Sequence, residues 1–557
     1  MNQKWWQDAI VYQIYPRSFY DTDGDGIGDI PGIIEKLDYI KDLGCNVIWL
    51  CPVYESPMKD NGYDIADYYK IDPRFGTNED VYRLIDEAEK RGIKIVMDLV
   101  INHCSSEHQW FQQALKGPTG PYGKYFIIKE GKDGNPPNNW RSIFGGSVWE
   151  KIPGTDLYYF HTFAKEQPDL NWETRELREE LYKMVNWWLD KGLGGFRVDA
   201  ITYIKKDPNF PSAPADGPDG LTNANPYSQN YAGIGEFLGE LRDQCFKPHN
   251  CMTVAEAPGV PADELPEYIG ENGYFSMIFD FSYADMDVIS GGDWHQRRLF
   301  TLKEFRDTVF DTQISLQKAG WGANYLENHD QPRSLNKYLP EGSINYHSTT
   351  MLGTFYFFLR GTPYIYQGEE LGMVNADWES IDALDDIQTK DQYRRALAAG
   401  LSVEEAMAVV NRRSRDNSRI PFPWTGGLNA GFTKGTPWLP VAGGHVAVNA
   451  ETEGKEPESV LSYYKKMVSL RKDTKWRDAL VLGDFKPCLT EYDTVAAYFR
   501  EHNNQRVLVL CNFSGEETLV KTDMTVGEVL LSNCGELQME QKGLMLKPWQ
   551  AVVLSVE

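Results

Sequence analysis

Residues 194–203 read GGFRVDAITY, an apolar run interrupted by Arg197 and Asp199. A strand inside a parallel sheet is normally apolar on both faces, because a charge withdrawn from water must be paired or hydrogen-bonded to offset its desolvation. The two charges therefore need partners from elsewhere in the chain. Similar short runs recur at 9–15 (AIVYQIY), 46–52 (NVIWLCP), 93–99 (IKIVMDL), 252–257 (MTVAEA), 274–280 (YFSMIFD), 322–328 (GANYLEN) and 362–368 (TPYIYQG). Amphipathic segments separate them. Ahead of GGFRVDA, Leu177, Leu181, Met184 and Trp188 make one apolar stripe at helical spacing. Strand, helix, strand recurrence implies right-handed crossovers and a parallel sheet, and eight such strands imply an α/β fold of the (β/α)8 TIM-barrel class.

Two stretches break that rhythm. Residues 104–172 are rich in Gly, Pro, Asn and aromatic residues and are too long for a connecting loop, so they read as a subdomain inserted after the third strand. From about residue 481, TVAAYFR, RVLVLCNFS and AVVLSVE alternate as strands without intervening helices, as expected of an antiparallel C-terminal β-domain. The organisation expected is barrel 1–103, inserted B domain 104–172, barrel 173–480 and C-terminal β-domain 481–557. SVEE at 402–405 is a capping-box sequence that opens a helix in an extra segment before Arg412.

The 557 residues carry 56 Lys and Arg against 81 Asp and Glu, a formal charge of −25. That balance repels nucleic acid and anionic lipid and weakly favours a neutral or cationic small ligand. The N-terminal MNQKWWQDAI lacks a basic stretch followed by an apolar segment, and no apolar run nears the roughly 20 residues that span a bilayer. The expectation is a cytoplasmic protein with no membrane or nucleic-acid partner, a monomer or weak homo-oligomer. Cys45, Cys51, Cys251 and Cys511 fall in apolar runs where a thiol acts as a small hydrophobe, so no structural disulfide is expected.

Catalytic groups of a parallel barrel sit where its strands end. Collecting polar residues at those ends yields Asp98, Asn102 and His103 after the third strand, Arg197 and Asp199 on the fourth, Glu256 on the fifth, and His329 and Asp330 after the seventh. Asp199, Glu256 and Asp330 would face one another across the barrel mouth. Two carboxyl groups flanking a bond, one ionised and one protonated, are what glycosidic cleavage requires.

The runs DLVINH (98–103), QPDLNW (167–172), GFRVDA (195–200), TVAEAP (253–258), ENHDQPR (327–333) and GTPYIYQGEE (361–370) resemble the ordered motifs of the α-amylase superfamily, glycoside hydrolase family 13. DTDGDGIGD, MKDNGYDIADY and SRDNSR resemble its bacterial α-glucosidase and oligo-1,6-glucosidase group. The resemblance implies that Asp199 is the nucleophile, Glu256 the general acid and base, and Asp330 the residue that binds the 2- and 3-hydroxyls. It implies that Arg197 keeps Asp199 ionised, that His103 and His329 donate to sugar hydroxyls, and that Tyr63 stacks under the ring. Asp60 and Arg415 would grip the 4-hydroxyl of a non-reducing terminal glucose, with Phe144 and Phe163 as walls. The alternative reading of Tyr63 and of Phe163 is as a core aromatic, and that of Asp98 as a structural carboxylate holding His103 or Arg197.

Asp21, Asp23, Asp25 and Asp29 alternate as ligands 1, 3, 5 and 9 of a calcium loop, with the carbonyl of Ile27 at position 7 and Gly26 at the turn. Gly32 stands at position 12, so the bidentate Glu of an EF-hand is lacking, and a structural Ca²⁺ away from the chemistry is expected. Within the resembling group, Val after the nucleophile accompanies α-1,6 specificity and smaller residues or Thr accompany α-1,4, so Ala200 points to maltose-type substrates. Cys104, RIPFPW (419–424) and FDFSYAD (279–285) depart from the group's usual residues, the last two near the expected leaving-group site. The function expected is a retaining, exo-acting α-glucosidase favouring α-1,4 bonds. The alternatives are an oligo-1,6-glucosidase, a sucrose isomerase or transglucosylase, a trehalose-6-phosphate hydrolase, and a non-catalytic binding relative.

Overall fold

The computed structural model describes residues 3–217, 219–289, 291–540 and 543–557. Eight parallel strands close into a barrel: β1 (Val11–Ile14), β2 (Val47–Leu50), β3 (Lys94–Val100), β4 (Gly195–Asp199), β5 (Met252–Glu256), β6 (Met277–Phe279), β7 (Gly322–Asn324) and β8 (Thr362–Tyr366). They neighbour one another in chain order, with β1 paired to both β2 and β8. Every β4 residue is buried, and Arg197 lies in register with Asp98 of β3 and Val254 of β5. Gly195 approaches β5 so closely that a Cβ there would lie 1.7 Å from the Met252 carbonyl oxygen, which accounts for the glycine before the charged segment. The helix Arg175–Leu189 buries Leu177, Leu181, Met184 and Trp188, the stripe read from spacing. Ser402 and Glu405 form the reciprocal capping box that opens the helix Val403–Arg413.

After β3, a three-stranded antiparallel sheet (Ile128–Glu130, Leu157–Phe160, Trp149–Lys151) carries its own core of Trp140, Trp149, Tyr158 and Phe160. A second segment joins it from beyond β4. Thr222–Asn223 pairs with Trp140–Arg141, Trp140 stacks on Tyr227 at 5.2 Å, and its indole donates to the Pro211 carbonyl at 2.7 Å. The sequence reading confined this unit to 104–172, because a two-residue pairing across eighty residues leaves no periodic signal.

The C-terminal strands β9 (Asp484–Cys488), β10 (Val495–His502), β11 (Gln505–Asn512), β12 (Val526–Ser532) and β13 (Ala551–Val556) form an antiparallel sheet in the order β9-β10-β11-β13-β12. Arg500 of β10 ties that sheet to the barrel. Its guanidinium is fully buried and donates to the carbonyls of Phe358, Leu480, Val481 and Gly483. These oxygens lie at or just beyond the ends of two helices, where unpaired carbonyls carry partial negative charge, and they stand in for a counter-ion. Among the described residues no helix is long and apolar enough to cross a membrane. Arg500→Met removes this donor from the carbonyls of Phe358, Val481 and Gly483, while Leu480 keeps Arg471, a cost of about 3 kcal/mol; the expected outcome is a lower midpoint for the barrel's urea unfolding, and an unchanged midpoint refutes the tie.

Candidate active site

A cavity of about 1940 Å³ is lined by Asp60, Tyr63, His103, Phe144, Phe163, Asp199, Glu256, Asp330 and Arg415. It opens at the C-terminal ends of the barrel strands: Asp199 and Glu256 are the last residues of β4 and β5, His103 follows β3 and Asp330 follows β7. Arg197 and His329, also expected in the site, sit behind its wall, 2% and 0% exposed.

Arg197 is the centre of the inner wall. Its Nη1 lies 2.7 Å from Asp98 Oδ1 and 2.6 Å from Asp199 Oδ1, and its Nη2 lies 2.5 Å from Glu256 Oε2. Asp98 also accepts from Trp49 Nε1 and the Tyr63 hydroxyl, each at 3.0 Å, and does not face the cavity; it holds Arg197 rather than His103 or a ligand. One guanidinium cannot neutralise three carboxylates at this depth. Burial raises Asp199 well above the usual carboxylate range; Arg197 opposes that shift, while the hydrogen-bonded Glu256 and Asp98 add to it. Arg197 thus favours the ionised form of Asp199, as expected of it, while burial and the neighbouring acids act against that form.

A second cluster has the opposite balance. Asp330 meets His329 Nε2 at 3.0 Å, Arg415 Nη1 at 3.1 Å and Arg419 Nη2 at 2.8 Å. Burial would raise Asp330, but these cations outweigh it and hold the carboxyl well below its ordinary value. Burial likewise opposes protonation of His329, yet Asp330 first and then Cys51 lift it to about 10. The Tyr63 hydroxyl lies 2.6 Å from His329 Nε2, and the two rings stack at 5.3 Å. His329, expected to donate to a sugar hydroxyl, is fully buried here with its nitrogens facing Tyr63, Asp330 and Gln13.

Arg415 links this cluster to the far end of the pocket, reaching Asp60 at 3.0 Å and Asp386 at 2.6 Å. Phe144 lies under the Arg415 guanidinium at 5.5 Å and packs on Phe163, which in turn lies 5.2 Å from His103. Burial depresses the basicity of His103, leaving a neutral ring 3.0 Å from the Tyr63 carbonyl and 3.2 Å from Gln167 Nε2. Gln167 also donates to Asp60 at 3.1 Å.

Three residues escaped the sequence reading. Asp386 reads as the N-cap of the helix Ile387–Ala398, which it is, while its other contacts place Arg415. Arg419 lies in a quoted motif but carries no signal that it reaches Asp330. Lys206, 2.5 Å from the fully buried Asp169, ties the end of the inserted unit to the segment after β4. Of the two departures expected beside the leaving group, Phe281 and Asp285 do line the cavity, whereas Phe422 and Trp424 pack inward on Phe19 and Tyr39.

A histidine whose folded pKa is raised adds stability that is complete below its unfolded value near 6.5 and is lost as pH climbs through the folded value of about 10. The difference in melting temperature between the wild type and His329→Gln is therefore expected to shrink steadily from pH 6.5 to 10; a difference independent of pH refutes a charged His329.

The chain matches the family model described as "Alpha amylase, catalytic domain" over residues 13–479, and the "Alpha-amylase SusG C-terminal domain" over 495–553. It is 42% identical to the oligo-1,6-glucosidase of Parageobacillus thermoglucosidasius, with both chains covered in full. Among solved structures it superposes on the trehalose-6-phosphate hydrolase of Bacillus licheniformis (TM-score 0.93, 40% identity) and the isomaltulose synthase of Klebsiella sp. LX3 (TM-score 0.94, 37% identity), again over the whole of each chain. With a barrel, a pair of strand-end carboxyl groups on one guanidinium and these full-length matches, the chain belongs to the α-amylase superfamily, glycoside hydrolase family 13.

Proposed function

We propose that the protein is a retaining, exo-acting α-glucosidase that removes single terminal glucose residues from the non-reducing end of short oligosaccharides. The observation that carries the reading is the Asp199–Glu256 pair at the ends of neighbouring strands, both carboxyls held by the one guanidinium of Arg197 at 2.6 and 2.5 Å. Such proximity belongs with the retaining geometry of about 5–5.5 Å once a sugar parts the carboxyls, not with the roughly 6.5–9.5 Å of inverting pairs. Asp199 attacks the anomeric carbon while Glu256 passes a proton to the departing oxygen, forming a glucosyl ester. Glu256, now ionised, takes a proton from water as the water oxygen attacks the same carbon, releasing Asp199 and an α-configured glucose. Asp330, held ionised by its cations, accepts hydroxyl hydrogen bonds that favour the distorted ring. The Asp60–Arg415 pair closes the far end, which supports removal of one residue at a time.

We read α-1,4 bonds as favoured. Ala200 follows the nucleophile and lines the cavity with φ 44°, a left-handed conformation that a β-branched residue adopts only under strain. A second reading, α-1,6, is favoured by the relatives named oligo-1,6-glucosidase. Comparison of kcat/KM for glucose release from maltose, isomaltose, sucrose and trehalose tests the assignment. Maltose is expected to lead isomaltose by at least about tenfold, and Ala200→Val to shift the ratio toward isomaltose by about 10-fold or more, the scale of small volume changes in a pocket. A wild-type lead for isomaltose overturns the α-1,4 reading. Asp199→Asn is expected to lose at least about 10³-fold in kcat while melting no lower than the wild type, because a buried acid with a raised pKa destabilises the fold wherever it is ionised.

A structural Ca²⁺ fits the loop 21–29. Carboxylate oxygens of Asp21, Asp23 and Asp29 converge within 4.8 Å, whereas Asp25 stands outside that set and accepts from the Ile27 amide. Asp21, Asp23, Asp29 and the Ile27 carbonyl would hold the ion, with Asp25 at the rim. Millimolar Ca²⁺ is expected to raise the melting temperature, and Asp23→Asn to abolish the rise; equal melting with Ca²⁺ and with chelator refutes the site. A cytoplasmic location is consistent with eight free cysteines, five of them buried.

A further inference from the structure

We propose that the leaving-group half of the cavity admits uncharged sugars and rejects phosphorylated ones, because the arginines that face it are already occupied by carboxylates. This rests on the α-glucosidase reading and narrows its substrate class. The described residues around the whole cavity include twelve carboxylates, five arginines and no lysine.

The arginines are held in a repeated way. Arg141, on the edge of the inserted unit, lies 2.6 Å from Asp216 and 2.7 Å from Asp219 of the segment after β4. On the opposite wall Arg395 lies 2.9 Å from Asp293 and 2.7 Å from Asp391. Arg413 is bound by Asp285 at 2.5 Å and by the buried Asp287. Arg415, at the far end of the pocket from the leaving group, is held in the same way by Asp60, Asp330 and Asp386. Arg298 remains, 44% exposed at the rim and paired with Glu304, together with the imidazole of His295. Each of the four inner arginines thus has at least two carboxylates, so every clamp is net negative.

A phosphate dianion needs charge-assisted donors that are free to turn toward it. Here each candidate would first have to leave two carboxylates, and the ligand would then sit among the displaced charges at close range. A sugar hydroxyl faces no such conflict, because it donates to a carboxylate without breaking that carboxylate's bond to arginine. The clamps also explain how the walls can be rich in arginine yet repel anions. They differ in this from a phosphate site, in which guanidinium groups point inward without acidic partners.

The experiment compares kcat/KM for maltose with that for maltose phosphorylated on the 6-hydroxyl of its reducing sugar, with p-nitrophenyl α-glucoside as a control. Wild-type enzyme is expected to turn over the control and maltose and to process the phosphorylated sugar at least 100-fold less well, with the gap narrowing as salt screens the repulsion. Asp216→Asn combined with Asp219→Asn frees Arg141 and is expected to narrow the gap at least tenfold at low salt. If that variant loses its near-ultraviolet circular dichroism, Asp391→Asn on the opposite wall provides the same reading. Comparable use of the two maltoses by the wild type overturns the proposal, as does an unchanged ratio in a folded variant. Failure to release glucose from maltose or p-nitrophenol from the control instead overturns the α-glucosidase reading.

Discussion

The contact on which the site depends is the buried guanidinium of Arg197 among Asp98, Asp199 and Glu256. A cation inside a barrel is tolerable only if it is paired, and the two terminal nitrogens of Arg197 are used on three acids while its Nε has no partner. The arrangement also runs in reverse: three acids so close together would repel one another apart without the cation. Trp49 and Tyr63 lie at 5.2 and 5.7 Å from the guanidinium carbon and confine it, and Asp98 is locked in place by hydrogen bonds from both. Asp98 therefore acts at one remove, as the fixed post against which Arg197 is held.

The same economy governs the second cluster. Asp330 is surrounded by cations, whereas Asp199 shares one buried cation with two other acids, and the two carboxyls are consequently shifted in opposite directions although both face one cavity. Environment, and not residue type, separates two carboxyls of one cavity in how readily they ionise. His329 joins the two environments, since it touches Asp330 and the Tyr63 hydroxyl that in turn touches Asp98. A rigid path of ionic and aromatic contacts therefore runs from β3 to the loop after β7.

The barrel supplies strand ends at fixed positions, and the loops are then pinned to one another by arginines that reach across them. Arg415 joins residues from the loops after β2, β7 and β8, while Arg141 joins the inserted unit to the segment after β4. Lys206 and Asp169 repeat that joint at the base of the inserted unit, where burial makes the pair obligatory for both partners. The walls of the pocket, Phe144 and Phe163, are held by this framework and not by the barrel itself.

Local sequence determined a great deal here. The periodic alternation of apolar runs with amphipathic helices sufficed for the barrel, because each strand is buried on both faces and each helix on one. The polar residues that end those strands marked the inner part of the site, since a charge at the end of an apolar run has few other reasons to be there. Three things were decided only by tertiary structure. The inserted unit recruits residues beyond β4 through a two-residue pairing, too short to leave a period. Asp386, Arg419 and Lys206 meet their partners over 29, 89 and 37 residues, and nothing local distinguishes a capping aspartate from one that also orients an arginine. The protonation states depend on how many charges converge on one point, a sum over distant segments that exists only once the barrel has closed.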